Sequence, residues 1–451
     1  MSLAAFSNVL FGLGRHAPWL PLTVFRTMPV GVLQAMRRPG LRRTLRMAQR
    51  SPFYRDALAR VDPRAVRTPA DLGDFFLTPD VVKSRPEALL CARPEVAVES
   101  SGTSGRVTRI YLSRRELEYN ARQGGLLLSL YGLGADDRLL CTLDLAWGIG
   151  ALLVERGVRY TPLFAMVPGR VSPEDAYERL AEYRFNVVIS DPFWLARLTE
   201  LARAHGRPAP MRLLIGGGEG ITARTRAELQ RFWEAPLCMT YASTEAATVL
   251  GFECLEQAGY HVNEFDFYIE VDRPDAAGYG ELVLTTVNRD VMPLIRYRTG
   301  DIARWLPGPC PCGLGFRRIS PLRGRVDEQV SCAWGNVVPE FFEDLLRDVG
   351  GLGGDWQVAL YERALTPVFQ FRLEVDGAAH REQAVDTVLQ AIQRRRPEAW
   401  VAYCQRLVDI EFSFFCPGAL RRQRKLLRVV DERAAGVPAW VGDAIDTVRR
   451  R

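Results

Sequence analysis

Short apolar runs alternate with longer helical stretches between residues 95 and 325, and this alternation limits the folds open to the chain. Strands that alternate with helices pack as a sheet covered by helices on both faces. The sequence therefore predicts an α/β region followed by a β-rich portion. The stretches predicted as strands are 139–143, 187–190, 213–215, 280–287 and 294–297, and those predicted as helices are 173–183 and 223–233.

A second, smaller domain is predicted after residues 324–327, where the composition changes. Strands predicted at 357–361, 368–375 and 408–415 enclose a helix at 381–394, a β-α-β pattern that suits a domain of about 120 residues. The stretch beyond Glu432 is expected to be either a loose tail or a terminal helix. The predicted fold is α/β, with a large N-terminal domain of α/β sheets and a β-rich part, joined to a small α+β C-terminal domain. The predicted limits are an N-terminal arm at 1–44, the large domain at 45–325 and the small domain at 326–451.

Composition excludes several classes of protein. A formal net charge of +6 over 451 residues is mild, which is compatible with an anionic substrate such as ATP but does not support nucleic-acid binding. No apolar stretch reaches the roughly 18–20 residues needed to cross a bilayer. Nine cysteines without a secretory signal predict reduced thiols and a cytoplasmic location. The apolar segment 3–36 is either an arm packed on the domain or a surface that contacts a membrane, and its prolines favour the packed arm.

Lysine is nearly absent from the chain. Of the 59 lysine and arginine residues, only Lys83 and Lys425 are lysines. A lysine that persists against such a bias is expected where a compact, mobile ammonium cannot be replaced by the planar guanidinium of arginine. Lys83 lies in a Pro- and Arg-rich stretch typical of a surface, so Lys425 is the candidate catalytic lysine. The alternative for Lys425 is a place on a solvated basic helix face.

A loop rich in glycine and hydroxyl side chains spans residues 99–108. Backbone N–H and side-chain O–H groups in such a loop can surround phosphate oxygens without steric obstruction. The loop lacks the Lys-Ser/Thr pair of a Walker A motif, which disfavours a P-loop NTPase. The alternative interpretation is an ordinary surface loop. The residues expected to contact phosphate are Ser100, Ser101, Gly102, Thr103, Ser104, Gly105 and Arg106.

Five motifs in order resemble those of the ANL adenylate-forming superfamily. Each motif alone is weak evidence, whereas five in the same order at domain-sized spacing are specific. They are the loop 99–108, Gly216-Gly217-Gly218-Glu219, Tyr241-Ala242-Ser243-Thr244-Glu245, Tyr297-Arg298-Thr299-Gly300-Asp301 and Gly324-Arg325-Val326-Asp327. Within the superfamily the chain resembles the phenylacetate–CoA ligase family, through residues 50–55, 292–301 and 335–339. The resemblance covers roughly residues 45–432.

The resemblance implies a role for the residues around the nucleotide. It places the ring of Tyr241 on adenine, Thr244 on phosphate and Glu245 on Mg²⁺, and it implies that Asp301 accepts hydrogen bonds from the ribose hydroxyls. The other residues that it places beside ATP or AMP are Gly217, Gly218, Glu219, Ala242 and Ser243.

The resemblance also implies a moving C-terminal domain. Arg325 would lie near the ribose and phosphates, and Asp327 would be the hinge about which the small domain rotates. Residues 421–431 resemble a C-terminal segment whose lysine, here Lys425, contacts the acyl carboxylate and the α-phosphate. In the implied reaction a carboxylate attacks the α-phosphorus. Because two anions must then approach each other, cations must neutralise the phosphate charge in place. Arg106, a metal held by Glu245, and Lys425 are the predicted catalytic groups.

Members of the phenylacetate–CoA ligase family activate aromatic or other small acids with ATP and Mg²⁺ and then form a thioester with coenzyme A. The resemblance therefore implies ATP, Mg²⁺ and coenzyme A as cofactors and an aromatic carboxylic acid as the substrate. It leaves open whether the chain is a monomer or a homodimer. The acyl pocket is expected at Trp147, Gly148 and Gly216, where small residues would admit a flat ring.

A separate set of candidate metal ligands is formed by Cys254, His261, Cys310 and Cys312. Four nitrogen and sulfur ligands suit a closed tetrahedral Zn²⁺ site, which is structural because no position is left for water. Similar Cys/His sets occur in some phenylacetate–CoA ligase-like proteins. The alternative is a group of reduced, partly buried cysteines. The remaining cysteines are predicted to be packing residues, with Cys332 the exception to watch.

Trp334 departs from the family pattern, in which this region is small and lines the thioester-forming active site. A tryptophan there would narrow the tunnel for the pantetheine arm of coenzyme A. It therefore motivates an alternative in which the acyl group passes to a carrier protein, an amine or another nucleophile. A third interpretation is a non-catalytic nucleotide-binding scaffold, which the retained Glu245, Asp301 and Lys425 oppose.

Overall fold

The computed structural model of the protein describes residues 23–24, 30–100, 107–145, 149–218, 220–221, 223–287, 289–323, 330–375, 377–416, 419–420, 428–433 and 446–450. The helices in these ranges are α1 Val30–Ala48, α2 Pro52–Ala57, α3 Pro79–Ser84, α4 Arg114–Leu130, α5 Ile149–Gly157, α6 Pro173–Tyr183, α7 Pro192–His205, α8 Ala223–Trp233, α9 Pro339–Leu346, α10 Ala378–Arg395 and α11 Pro397–Cys404.

The strands of the large domain are β1 Val96–Glu99, β2 Arg109–Leu112, β3 Arg138–Cys141, β4 Phe164–Met166, β5 Val187–Ser190, β6 Leu213–Gly216, β7 Leu237–Ser243, β8 Thr248–Glu253, β9 Tyr260–Val262, β10 Phe267–Asp272, β11 Gly280–Thr286, β12 Tyr297–Ala303, β13 Trp305–Leu306 and β14 Arg318–Ile319. Those that follow are β15 Val330–Cys332, β16 Gly335–Val337, β17 Leu352–Arg363, β18 Thr366–Val375, β19 Asp409–Phe415, β20 Val429–Asp431 and β21 Asp446–Arg450.

A nine-stranded sheet with the order β13-β14-β9-β8-β7-β6-β5-β3-β4 forms the centre of the large domain. Strands β4, β3, β5, β6 and β7 run parallel, and the strands beyond β7 pair antiparallel. Successive side chains of a strand point to opposite faces, so Val188 lies in one hydrophobic cluster and its neighbour Val187 in the other. Leu198 of α7 covers the first face and Leu126 of α4 the second. The predicted α/β sheet covered on both faces is confirmed.

The β-rich part is a three-stranded antiparallel sheet in the order β10-β11-β12. Helix α1 packs against it: Arg37 is 2% exposed and donates to the Phe267 carbonyl at 2.9 Å, and Thr44 Oγ1 donates to the Val287 carbonyl at 2.9 Å. This helix runs across the expected arm boundary at residues 44 and 45, and the domain limits stay a prediction. One strand prediction was wrong, because 294–296 is irregular and β12 starts at Tyr297.

The small C-terminal domain holds a five-stranded sheet in the order β20-β17-β18-β19-β21. Strands β18 and β19 are parallel and α10 lies between them in the chain, which confirms the predicted β-α-β unit. Residues 446–450 form a strand paired with β19 rather than part of a terminal helix. The small domain meets the large one through the β17–β18 hairpin, where Thr225 Oγ1 donates to Glu362 at 2.5 Å and Thr366 Oγ1 to Glu200 at 3.1 Å.

Across the part of the chain that the structure describes, no helix is both long and apolar enough to cross a membrane. Most of the N-terminal segment 3–36 lies outside the described residues, and its predicted packing or membrane contact is not tested there.

Candidate active site

The carboxyl ends of β5, β6 and β7 meet at one edge of the nine-stranded sheet, and Gly216-Gly217-Gly218 follows β6 there. The Gly217 N–H donates to the Ser190 carbonyl at 3.1 Å, and Thr240 Oγ1 donates to the Gly216 carbonyl at 3.0 Å. A Cβ on Gly217 would lie 2.7 Å from Thr240 Oγ1, and Gly218 has a φ of +84°, so both positions require glycine. Ligands of open α/β sheets bind at this kind of edge.

Tyr241 and Asp301 are joined at this edge although 60 residues separate them in the chain. Tyr241 Oη donates to Asp301 Oδ2 at 2.6 Å, and the two residues are 6% and 7% exposed. Asp301 lies at an irregularity in the hydrogen-bond ladder between β11 and β12, where the strand register shifts between Glu281 and Val283. This irregularity determines the direction in which the Asp301 side chain points. Gly300 lies in this irregularity with a φ of +79°, which favours glycine.

Glu245 lies in the turn at 244–247 between β7 and β8 and is paired with the first residue of β12. Tyr297 Oη donates to Glu245 Oε1 at 3.1 Å. The turn is closed by Ser243, whose Oγ accepts from the Ala246 N–H at 3.1 Å and whose carbonyl accepts from the Ala247 N–H at 3.1 Å. Ser243, Thr244 and Glu245 are half-buried and Ala242 is exposed, so side chains of this turn reach solvent at the sheet edge.

The glycine-rich loop is described only at its base. The Ser100 N–H donates to the Thr108 carbonyl and the Thr108 N–H donates to Ser100 Oγ, both at 3.0 Å, so the loop leaves and rejoins the β1–β2 hairpin at adjacent points. Twelve of the predicted site residues lie outside the described ranges: Ser101, Gly102, Thr103, Ser104, Gly105, Arg106, Trp147, Gly148, Glu219, Arg325, Asp327 and Lys425.

Two of the stretches that resemble phenylacetate–CoA ligases contact each other. Ser51 caps α2 by accepting from the Tyr54 N–H at 3.0 Å, and this places the Tyr54 ring in the core. Tyr54 Oη donates to the Pro293 carbonyl at 2.9 Å and accepts from the Ile295 N–H at 3.3 Å. The stretch 50–55 therefore supports the backbone that leads into Tyr297 and Asp301.

Arg289 and Asn120, which were not predicted from the sequence, also hold the turn after β7. Arg289 Nη1 donates to the Glu245 carbonyl at 2.6 Å and Nη2 donates to the Ala246 carbonyl, while Asn120 Nδ2 donates to the Ala247 carbonyl at 2.8 Å. Neither residue lies in one of the five motifs, so only their three-dimensional position identifies them.

Known proteins resemble the chain in sequence and in structure, although no protein-family profile matches it. Phenylacetate–coenzyme A ligase of Thermus thermophilus is 27% identical over 79% of this chain and 84% of the relative. The Escherichia coli enzyme of the same name is 27% identical over 78% of this chain and 85% of the relative. A crystal structure of 2-hydroxyisobutyryl-CoA ligase, with its acyl-AMP and CoA in the thioesterification state, has a TM-score of 0.75 at 18% identity and covers 91% of this chain and 92% of that one.

The chain is an adenylate-forming ligase, similar to the phenylacetate–CoA ligases. Its fold of a large α/β domain with a small C-terminal domain is shared by the 2-hydroxyisobutyryl-CoA ligase. The post-adenylation structure of the same 2-hydroxyisobutyryl-CoA ligase gives a TM-score of 0.63 with 92% of each chain covered.

The ligase also brings the four predicted zinc ligands together at the far end of the sheet. Cys254 follows β8, His261 lies on β9, and Cys310 and Cys312 lie in the loop between β13 and β14. Their ligand atoms all lie within 4.8 Å of one another, with Cys254 Sγ 3.6 Å from Cys310 Sγ and Cys312 Sγ 3.3 Å from His261 Nε2. A tetrahedral zinc site with bonds of about 2.3 Å to sulfur and 2.0–2.1 Å to nitrogen has S–S and S–N edges of about 3.8 and 3.6 Å. The four residues fit a zinc ion.

Further contacts orient the four side chains of this cluster. His261 Nδ1 lies 3.3 Å from the Phe316 carbonyl, which orients the ring with Nε2 toward the sulfur atoms. The Leu314 N–H donates to Cys312 Sγ at 3.4 Å. Hydrogen bonding from Cys312 and the nearby His261 lowers the pKa of Cys254, so the cluster favours a thiolate there. This is the protonation state that a metal ligand needs.

Only some of the other cysteines of the ligase are packing residues, and that prediction was wrong for two of them. Cys141 and Cys238 are buried, and burial raises the pKa of each thiol to about 12. Cys332 is also buried, and its Sγ donates to the Gly335 carbonyl at 3.3 Å within the β15–β16 hairpin. Cys404 and Cys416 are exposed instead.

Trp334 of the ligase lies in the core of the small domain. The residue is only 4% exposed, and its ring stacks on Phe369 with a centroid distance of 3.8 Å and an interplanar angle of 8°. Phe341 and Phe342 surround it. The expectation that this ring narrows a substrate tunnel therefore does not fit its position, because the small domain's own phenylalanines occupy its faces.

Proposed function

We propose that the chain is an ATP-dependent acid–CoA ligase, which first forms an acyl-adenylate and then a thioester with coenzyme A. The observation that carries this proposal is the pairing of Tyr241 with Asp301 and of Tyr297 with Glu245 at one edge of the nine-stranded sheet. The similarity to phenylacetate–CoA ligases over more than three quarters of the chain supports the same reaction class, with a small aromatic carboxylic acid as the substrate.

The described residues would bind the nucleotide at this edge. Asp301, which Tyr241 holds through one carboxylate oxygen, would accept hydrogen bonds from the ribose hydroxyls. Glu245 presents a carboxylate that would hold Mg²⁺ on the ATP phosphates, and hard cations such as Mg²⁺ prefer oxygen ligands of this kind. Mg²⁺ would supply charge neutralisation at the phosphates. Backbone groups of Gly217 and Gly218 would line the same crevice.

The remaining site residues are assigned from their motifs. Lys425 would contact the acyl carboxylate and α-phosphate, and Arg106 would neutralise phosphate charge. Arg325 and Asp327 would serve the ribose contact and the hinge. The other residues proposed for the phosphate loop, the nucleotide or the acyl pocket are Ser100, Ser101, Gly102, Thr103, Ser104, Gly105, Trp147, Gly148, Gly216 and Glu219.

Coenzyme A is the proposed acyl acceptor. The burial of Trp334 against Phe369 supports coenzyme A over the alternative of a carrier protein or an amine. The two relatives and the 2-hydroxyisobutyryl-CoA ligase named above all carry coenzyme A in their names, which supports the thioester-forming reaction.

A structural Zn²⁺ ion is proposed at Cys254, His261, Cys310 and Cys312. With all four positions taken by protein atoms, it would have no open site for water or substrate. It would instead hold the loop between β13 and β14 against β8 and β9, so its contribution is to folding.

The function is tested by ATP–pyrophosphate exchange over a panel of aromatic and aliphatic acids, with and without coenzyme A. We expect exchange with at least one aromatic acid and thioester formation when coenzyme A is added. Lys425→Ala should lower the rate by at least about 100-fold, since it removes a cation that acts on the transition state. Lys83→Ala, which removes the other lysine, is the matched control and should retain wild-type activity.

Different results would overturn different parts of the proposal. Exchange in Lys425→Ala at the wild-type rate would remove that lysine from the mechanism. Exchange without thioester formation would exclude coenzyme A as the acceptor. Absence of exchange with every acid of the panel would refute the ligase function.

A further inference from the structure

The turn that carries Glu245 has a strained backbone. Ala247 has a φ of +55°, in the left-handed region that an alanine rarely adopts. Its N–H donates to the carbonyls of both Ser243 and Thr244, at 3.1 and 3.0 Å. A strained turn of this kind persists only where its surroundings hold it.

The surroundings here are two side chains that bind three successive carbonyls. Arg289 donates to the carbonyls of Glu245 and Ala246, and Asn120 donates to that of Ala247. These bonds fix the backbone on the C-terminal side of the Glu245 Cα, and the bonds from the Ala247 N–H to the Ser243 and Thr244 carbonyls fix it on the N-terminal side. The Glu245 carboxylate is fixed separately by Tyr297 Oη at 3.1 Å.

Arg289 is an unusual group to use for this purpose because its guanidinium is buried. The residue is only 4% exposed, and burial lowers its pKa to about 10. At neutral pH it therefore remains a cation. The carboxylates of Glu116, Asp266 and Glu245 stabilise this charge from nearby. Hydrogen bonds from a charged donor are stronger than those from a neutral one, so the two carbonyls are held firmly.

Helix α4 holds both partners of the turn. Glu116, in its first turn, accepts from the backbone N–H groups of Asp290 and Val291, which anchors the segment that carries Arg289. Asn120 lies one turn further along the same helix. The Glu116 carboxylate is held in place by a capping box with Ser113. One helix therefore connects the Arg289 segment to the Glu245 turn.

The geometry points to Arg289 as a positioning residue for Glu245. Arg289 fixes the backbone of the Glu245 turn, and the position of that backbone determines where the Glu245 carboxylate meets the metal of the metal–nucleotide complex. Asn120 assists it at Ala247. The inference rests on the proposed function, in which Glu245 holds the metal. Arg289 itself does not touch the metal or the substrate; it acts through the carbonyls of Glu245 and Ala246.

The test measures metal binding without turnover. Mn²⁺ binding in the presence of a non-hydrolysable ATP analogue is followed by water-proton relaxation in wild type, Arg289→Met and Arg289→Lys. Arg318→Met is the matched control, because Arg318 is also buried and donates to backbone carbonyls, those of Ala258 at 2.6 Å and Pro309 at 3.3 Å. Thermal unfolding of each variant is recorded beside the binding measurement.

We expect Arg289→Met to weaken Mn²⁺ binding about 10-fold, the equivalent of about 1.4 kcal/mol for a lost charge-assisted hydrogen bond. Arg289→Lys should recover part of the affinity because it retains a charged donor, and Arg318→Met should bind as wild type does. The concentration of Mg²⁺ that half-saturates pyrophosphate exchange should rise in the same order. If Arg289→Met does not fold, Asn120→Ala takes its place, with an expected loss of about threefold.

Folded Arg289→Met with wild-type Mn²⁺ affinity would overturn the inference and leave the ligase function intact. The same holds if Asn120→Ala, used in its place, binds Mn²⁺ as wild type does. A merely structural role would lower the unfolding temperature of Arg289→Met and of Arg318→Met alike without changing metal affinity. Failure of the wild type to bind Mn²⁺ with the analogue would overturn both the inference and the proposed role of Glu245.

Discussion

Tyr241 Oη donates a hydrogen bond of 2.6 Å to the Asp301 carboxylate, and this bond joins β7 to β12 across the sheet edge that is proposed to bind the nucleotide (the nucleotide edge). Both residues are nearly inaccessible to solvent. In the proposed function, loss of this donor would remove one of the contacts that hold the Asp301 carboxylate toward the ribose. The bond therefore links the adenine-binding residue to the ribose-binding residue of the proposed function.

Removing this hydroxyl should weaken ATP binding. We expect Tyr241→Phe to raise the KM for ATP about 10-fold or more, because a hydrogen bond to a charged group contributes about 1.5–3 kcal/mol. The ring remains to stack on adenine, so the maximal rate should change less. Steady-state kinetics of pyrophosphate exchange measures both. Tyr131→Phe is the control, since Tyr131 is a buried tyrosine whose hydroxyl donates to the Glu253 carbonyl at 2.8 Å away from the nucleotide. Equal KM values in wild type and Tyr241→Phe would contradict the role.

Zinc should copurify with the protein at about one equivalent per chain. Cys310→Ser should lose the metal and lower the unfolding temperature, because a structural zinc ion contributes folding free energy. Cys404→Ser, which changes an exposed cysteine outside the cluster, should retain both. Elemental analysis and thermal unfolding provide the measurements. A metal-free wild type of full stability would show that the four side chains are reduced, buried cysteines and a histidine without an ion.

Trp334 should matter to stability rather than to coenzyme A. We expect Trp334→Ala to lower the free energy of unfolding by about 3–5 kcal/mol, because it leaves a cavity between Phe369 and Phe341. Trp334→Phe should keep the ring stack and form thioester at the wild-type rate. Denaturant unfolding and a thioester assay distinguish the two readouts. Faster thioester formation in Trp334→Ala at unchanged stability would contradict this prediction and show that the ring narrows the substrate tunnel.

The buried thiol of Cys141 should make the fold sensitive to alkali. Burial raises its pKa from 9.0 to about 12, so between these values the unfolded chain releases a proton that the native chain keeps. Its stabilising effect is thus complete below pH 9 and is lost as the pH rises toward 12, at about 1.4 kcal/mol per pH unit. The free energy of unfolding of Cys141→Ala should fall less steeply than that of wild type over this range. Parallel curves would contradict the prediction.

Local patterns predicted the regular elements well where packing agrees with periodicity. Helices 173–183 and 223–233 coincide with α6 and α8, since each has one apolar face and a clear boundary. The run 294–297 misled for a physical reason. Its apolar residues are buried because Tyr54 packs and bonds there, and Arg296 has a φ of +47°, which no regular strand permits. Burial without strand geometry gives the same sequence signal as a strand.

The residues of the candidate site also fall into those that the sequence predicts and those that it does not. Tyr241, Glu245 and Asp301 belong to motifs and were predicted, and the glycines beside them follow from the close approach of Thr240. Arg289 and Asn120 were not predicted, because their partners are backbone carbonyls far away in the chain. In a sequence rich in arginine, no local pattern distinguishes an arginine that binds backbone carbonyls from the others. The charged strand 446–450 was likewise missed, since it has no apolar alternation.

The support that Tyr54 gives to Pro293 spans 239 residues of chain. During synthesis, the segment that begins at α2 must wait until the ribosome has produced nearly two thirds of the protein before this partner exists. Contacts of such long sequence separation form slowly, because a large loop must close before they stabilise anything. The nucleotide edge is therefore expected to be among the last parts of the large domain to mature, and a nascent chain released before residue 293 would have no means of building it.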